Sequence, residues 1–188
     1  MIHFKDPSAT FIHIMKTGGT SFRNWTTNHI GKDRYTNYKN PLTHLTFEES
    51  KDHIKELGQV FTIVRNPFSR LVSLYNHLDA KPSIKGKMKS FDHFIEKVIE
   101  NNNTTFINTR DYPIIQFDYI GLEDAWYIRL EHHKEEFKKI QDLLSCNKPF
   151  PHANKRTHKH YRKYYNKHTR KLVEEHCKKD LNKFNYEF

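Results

Sequence analysis

Cysteine is almost absent from this chain of 188 residues, which has only Cys146 and Cys177. They form no C-x-x-C pair, which excludes a disulfide framework and a paired-thiol zinc site and fits a reducing compartment. Glycine is scarce too, at six residues, and there is no Gly/Ser linker, internal repeat or low-complexity tract. No apolar run approaches the roughly 18 residues of a membrane span, and the first residues lack the charged, apolar and small-residue succession of a secretory signal. The expectation is a soluble, cytoplasmic protein. Acidic residues are in deficit, 22 against 32 Lys and Arg, for a formal charge of +10. The deficit is deepest in residues 152–171, which hold eight Lys or Arg and no Asp or Glu. Such an excess asks for an anionic partner: a nucleotide, a nucleic acid, a sulfated glycan or a membrane surface.

Aromatic side chains are plentiful, at 14% of the chain with fourteen Phe and ten Tyr, so the expected core is built on rings. The length suits one domain, taken as residues 1–188 with a basic loop at about 146–166. Residues 9–14 form a β-prone run, followed by the sole Gly-Gly pair and a helix starting near Ser21. Residues 60–64 repeat that form, turning at Asn66-Pro67 into a helix over 68–78 with Leu71, Val72, Leu74, Tyr75 and Leu78 at helical spacing. Between them, Thr46-Phe47-Glu48-Glu49 reads as a capping box opening a helix to about Leu57. Further helices are expected over 90–101, 132–144 and 167–184, with a strand over 125–130. The last helix should turn Leu172, Val173, Cys177, Leu181 and Phe184 inward. Strands alternating with helices predict an α/β fold, a P-loop-like three-layer arrangement with a central parallel sheet flanked by helices.

Two constellations carry chemistry. Lys16, Thr17, Gly18, Gly19, Thr20 and Ser21 lie between a strand and a helix, where small residues let backbone N–H groups close on a phosphate and Lys16 adds charge. The lysine precedes the glycines, unlike G-x-x-x-x-G-K-[ST], which disfavours triphosphate hydrolysis. The bland reading is a tight turn beside a solvated lysine. The second constellation begins with Val64-Arg65-Asn66-Pro67, with Arg65 at a strand end where ligands of open α/β sheets gather. Ser73, eight residues on, can join Arg65 on one phosphate if its helix points there. The bland alternative is an ordinary exposed arginine and a neutral helical serine.

The segments F-I-H-I-M-K-T-G-G-T-S-F from Phe11 and F-T-I-V-R-N-P-F-S-R-L-V-S-L-Y-N-H from Phe61 resemble the two donor-binding motifs of sulfotransferases that use 3′-phosphoadenosine 5′-phosphosulfate (PAPS). The resemblance is to the carbohydrate and heparan sulfate 2-O type. It implies that Lys16 to Ser21 wrap the 5′-phosphosulfate and that Arg65 with Ser73 holds the 3′-phosphate. Ile128-Arg129-Leu130-Glu131 is similar to the family's R-x-E segment. Pro151-His152-Ala153-Asn154, with Asp180-Leu181 and Phe184-Asn185-Tyr186-Glu187-Phe188, is similar to its C-terminal pattern. The family's late loop closes over the nucleotide, which makes Lys155, Arg156, His158 and Tyr161 candidates for contact with PAPS or an anionic acceptor. The chain departs from the family in carrying Met15 where Pro is usual and Ser69 near a usual acid. No membrane anchor is expected in it either, so a Golgi setting and a glycosaminoglycan acceptor are not carried over from the resemblance.

Sulfuryl transfer needs a base for the acceptor hydroxyl, in-line attack and charge stabilisation on the leaving side. Lys16 and the loop amides suit the leaving side. Of fourteen histidines, His44 in Thr43-His44-Leu45-Thr46 matches the family's H-x-T segment and is the expected base, with Glu48 in reserve; the bland reading is a surface or capping histidine. His152, His158 and His160 fit no zinc spacing, and no metal is expected. The expected partners are PAPS or its product PAP and a hydroxylated acceptor, a carbohydrate first and an aromatic or peptidyl tyrosine among the others; nucleic acid is not among them. Two other readings compete: a nucleic-acid-binding module built on residues 155–171 with Tyr161, Tyr164 and Tyr165, and a small P-loop kinase, which would need a triphosphate loop and a magnesium-binding acid.

Overall fold

A computed structural model describes residues 1–81, 88–102, 112–150 and 159–188. The strands are β1 (Ile2–Lys5), β2 (Ser8–Phe11), β3 (Tyr35–Asn37), β4 (Gln59–Val64) and β5 (Trp126–Arg129). The helices are α1 (Gly19–His29), α2 (Phe47–Ser50), α3 (Pro67–Asp79), α4 (Phe91–Asn101), α5 (His133–Glu136), α6 (Lys138–Leu143), α7 (Lys167–His176) and α8 (Lys178–Phe184). Contacts divide the chain into two units, each made of two stretches. One is Met1–Arg65 with Tyr119–Arg156, and the other is Asn66–Asp118 with Thr157–Phe188.

The first unit holds the whole sheet, in the order β3-β1-β2-β4-β5. β2, β4 and β5 are parallel neighbours, and each parallel link is a long crossover, as parallel pairing requires. β1 is antiparallel to β2, with Ile2 opposite Phe11, and β3 is antiparallel to β1. The sheet is therefore mixed, where the sequence reading expected a parallel one. The two residues Asp6-Pro7 leave β1 no route except an antiparallel return. The α/β class stands, as a sheet flanked by helices, and β2 and β4 each run through a loop into a helix.

Rings fill the core of this unit. Phe4, Phe11, Phe22, Trp25, Phe61, Phe137 and Phe150 pack with Ile2, Ile63, Ile128 and Ile140. The Phe11 and Phe22 centroids lie 4.3 Å apart, and Trp25 meets Phe137 edge-on at 5.0 Å. α1 contributes Phe22, Trp25 and Thr26, three and four residues apart, to one buried stripe. The Trp25 indole N–H finds an acceptor in the Lys148 carbonyl at 2.9 Å.

α2 opens on the Thr46 capping box, with Glu49 as the reciprocal acid, but it stops at Ser50 rather than near Leu57. The Ser50 hydroxyl donates to the Phe47 carbonyl at 2.6 Å. Beyond it, the Thr10 hydroxyl takes the Leu57 carbonyl at 2.6 Å, and the Ser8 hydroxyl takes that of Glu56 at 3.5 Å. These bonds to β2 draw the backbone out of the helix. Gly58 then turns at φ +59, where an added Cβ would stand 2.0 Å from the Ser8 carbonyl oxygen. The helix expected over 132–144 is two pieces, α5 and α6, broken at the buried ring of Phe137.

In the second unit, Asn66 caps α3 and Ser90 caps α4 through side-chain oxygens. Tyr75 packs on Phe91 and Phe94 at 5.3 and 5.5 Å. The closing helix over 167–184 is likewise two, α7 and α8, meeting at buried Cys177. Val173, Cys177 and Phe184 are buried as expected, and so is Asp180, which is fully enclosed. Asp180 accepts the backbone N–H groups of Gln116 and Phe117 at 2.7 and 3.0 Å. Arg70, 3% exposed, donates to the carbonyls of Ile114 and Pro113 at 2.5 and 3.4 Å. Two buried charges thus hold the irregular stretch 113–117 by its backbone.

Candidate active site

The loop after β2 owes its shape to two left-handed residues. Lys16 has φ +66 and Gly18, the residue before α1, has φ +98, with Thr17 between them. Alternation of this kind turns successive N–H groups to one side and forms an anion-binding concavity at the positive end of α1. Thr17 is fully buried, and its hydroxyl donates to the Ile14 carbonyl at 3.0 Å, so what it offers outward is backbone. Thr20 is exposed and Ser21 is buried. Each glycine is a close approach: a Cβ on Gly18 would stand 2.9 Å from Leu130 Cδ1, and one on Gly19 would stand 1.9 Å from the His13 ring.

Arg65 leaves the end of β4, and its Nη1 donates to the Lys16 carbonyl at 3.4 Å. Parallel pairing of β2 with β4 brings Lys16 and Arg65 to the same end of the sheet. A side chain 49 residues away therefore reaches the loop. Ser73 is a half-buried residue of α3 in the second unit. Lys155 and Arg156 lie outside the described residues, as do His152 and His158. Arg129, at the end of β5, gives its guanidinium and its backbone N–H to Glu136, with Nε and N each 2.6 Å from a carboxylate oxygen.

His44 closes the short 3-10 turn Leu42–His44. Its Nδ1 lies 2.8 Å from the His13 carbonyl oxygen. A carbonyl only accepts, so in the neutral ring Nδ1 carries the proton and Nε2 is the basic nitrogen. The two histidine rings are 4.3 Å apart. His13 is 7% exposed, and burial, then the neighbouring His44, hold it well below the usual histidine value of 6.5. Among the described residues its Nδ1 has no hydrogen-bond partner. The sequence reading passed over His13; its one signal was a polar residue inside the apolar run ahead of Lys16-Thr17-Gly18-Gly19. Glu48 is a surface residue 2.8 Å from Lys51. No group of three or more His, Cys, Asp or Glu among the described residues could hold a metal ion.

A loop of this build on a parallel strand, with an arginine arriving from the next one, is an arrangement with which an α/β protein can hold an anion at the C-terminal ends of its strands. The chain belongs to the Sulfotransferase family, which matches it over residues 1–187. Its fold is similar to that of the mouse sulfotransferase SULT7A1 complexed with PAP, with a TM-score of 0.61, 13% identity, and 94% of this chain and 88% of that one covered. No curated protein matches the sequence. Among the described residues no helix is long and apolar enough to cross a membrane.

Proposed function

We propose that residues 1–188 act as one PAPS-dependent sulfotransferase domain that sulfates a carbohydrate hydroxyl, in a reducing, cytoplasmic setting. The convergence of Arg65 on the Lys16 loop carries this reading, because it sets a guanidinium beside an amide-lined concavity, the pairing that a nucleotide with separate 5′ and 3′ anionic groups needs. Family membership and the PAP complex of the mouse protein support the donor. The motif resemblance supports the carbohydrate acceptor, and the two free thiols suit the reducing setting.

PAPS, when bound, supplies an activated sulfuryl group. The residues present fit it: two glycines whose places a Cβ would fill, a left-handed Lys16 and a helix N-terminus. Lys16 and the loop amides from Thr17 to Ser21 hold the 5′ side and offset the charge that grows on the departing phosphate oxygen. Arg65, with Ser73 of the same motif, takes the 3′-phosphate. Lys155 and Arg156 are further donor contacts proposed from the resemblance of the late loop. His44 Nε2 takes the proton of the acceptor hydroxyl, while Nδ1–H on the His13 carbonyl keeps the ring in that tautomer.

Calorimetry with PAP, AMP and ATP on the wild type and Arg65→Ala tests the donor site. The expected result is binding that requires the 3′-phosphate and weakens by roughly 10- to 100-fold in the variant, the loss of a charged hydrogen bond. Equal binding of ATP, or none of PAP, overturns the reading. With the donor site established, an acceptor screen uses His44→Ala as its control, expected to lower kcat by roughly 100-fold or more.

A further inference from the structure

His13 touches both halves of the site through different atoms. Its carbonyl oxygen receives His44 Nδ1–H at 2.8 Å. Its ring faces that of His44 at 4.3 Å, stacks on Phe11 at 5.7 Å, and lies against Gly19, where even a methyl group would collide. Here the position does more than fill space, because residue 13 carries the carbonyl that selects the tautomer of the base.

We propose that His13 is a positioning residue: its ring, wedged between Phe11, Gly19 and His44, fixes the carbonyl that holds His44 as the Nδ1–H tautomer, in which Nε2 is the basic nitrogen. The donor loop and the base then share one anchor. Because burial keeps His13 uncharged at neutral pH, His44 can take up a proton without meeting a like charge in the neighbouring ring. The inference rests on the proposed role of His44 as base.

The test reads the ring-nitrogen chemical shifts of His44 in the full chain labelled with 15N-histidine, assigned by the signal lost in His44→Gln, alongside kcat and donor KM. Wild type is expected to show Nδ1–H. His13→Ala, or His13→Val where the alanine variant does not fold, is expected to move His44 toward the Nε2–H form that neutral histidine favours in water, with kcat lower by about ten-fold or more. His13→Phe, which keeps the ring, is expected to retain the wild-type signature, and this return marks positioning rather than general destabilisation. If His44 stays Nδ1–H without the ring, the proposal is overturned, whatever happens to kcat. If the tautomer shifts while kcat holds, the positioning stands and the role of His44 as base fails.

Discussion

Residues 16–19 show how little freedom the loop between β2 and α1 has. The chain meets the left-handed region twice in three positions, at Lys16 and Gly18, a conformation that costs a residue with a Cβ about 1–2 kcal/mol. Gly18→Ala meets that cost, while its steric neighbour, Leu130 Cδ1 at 2.9 Å, is the end of a flexible side chain and can turn aside. Gly19→Ala meets the His13 ring at 1.9 Å, and that ring belongs to a buried residue. Thermal or urea unfolding should show about 1–2 kcal/mol lost for Gly18→Ala and about 3 kcal/mol for Gly19→Ala, at the upper end for overpacking. Equal losses would mean that the ring yields. The Gly-Gly pair was legible in sequence as a tight loop between a strand and a helix, but which partner excludes each Cβ was not. Leu130 and His13 reach the glycines through the parallel sheet and through the turn respectively.

Helices whose signals are local matched their expectations: α1, α3 and α4 begin where small, proline or serine residues place them, and their apolar stripes are buried. The exceptions are informative. The start of α2 follows from Thr46, a side chain three residues from its partner, whereas its end follows from bonds to Ser8 and Thr10 nearly fifty residues away. β1 and β3 carry four and three residues, too short for periodicity to speak, and exist because β2 offers β1 an edge and β1 offers β3 the next. Asn66 joins two functions at the start of α3. Its Oδ1 accepts Phe68 N–H at 3.0 Å and its Nδ2 donates to the Glu187 carbonyl at 2.7 Å. Asn66→Ala should cost about 2 kcal/mol, one cap and one partly buried hydrogen bond, read as a lower urea midpoint with an unchanged slope.

For the molecule as a whole, buried titratable groups set how stability follows pH. Burial holds His13, and to a smaller degree His3 and His176, below the ordinary 6.5. As pH falls through that value the unfolded chain takes up protons that the folded chain refuses, so stability is present above about 6.5 and drains away below it. Asp180 runs the other way. Burial raises it above 3.8 against the pull of the Gln116 and Phe117 N–H groups, so its contribution declines as pH rises from that value toward its folded one. Urea unfolding should therefore show a lower midpoint at pH 5.5 than at pH 7.5, and His13→Phe should flatten that slope; an unchanged slope would take His13 out of the account. The sequence by itself determined the α/β class, the two strand–loop–helix passages and the residues around Lys16 and Arg65, because a turn, a cap and a helical stripe are settled by neighbours within a few positions. Only the tertiary structure decided that His44 would rest on the His13 carbonyl 31 residues before it, that Arg65 would reach the Lys16 carbonyl, and that Asp180 would be enclosed 64 residues from the amide it holds. Those pairings depend on strand order and packing, which bring distant residues together without leaving a local pattern in the chain.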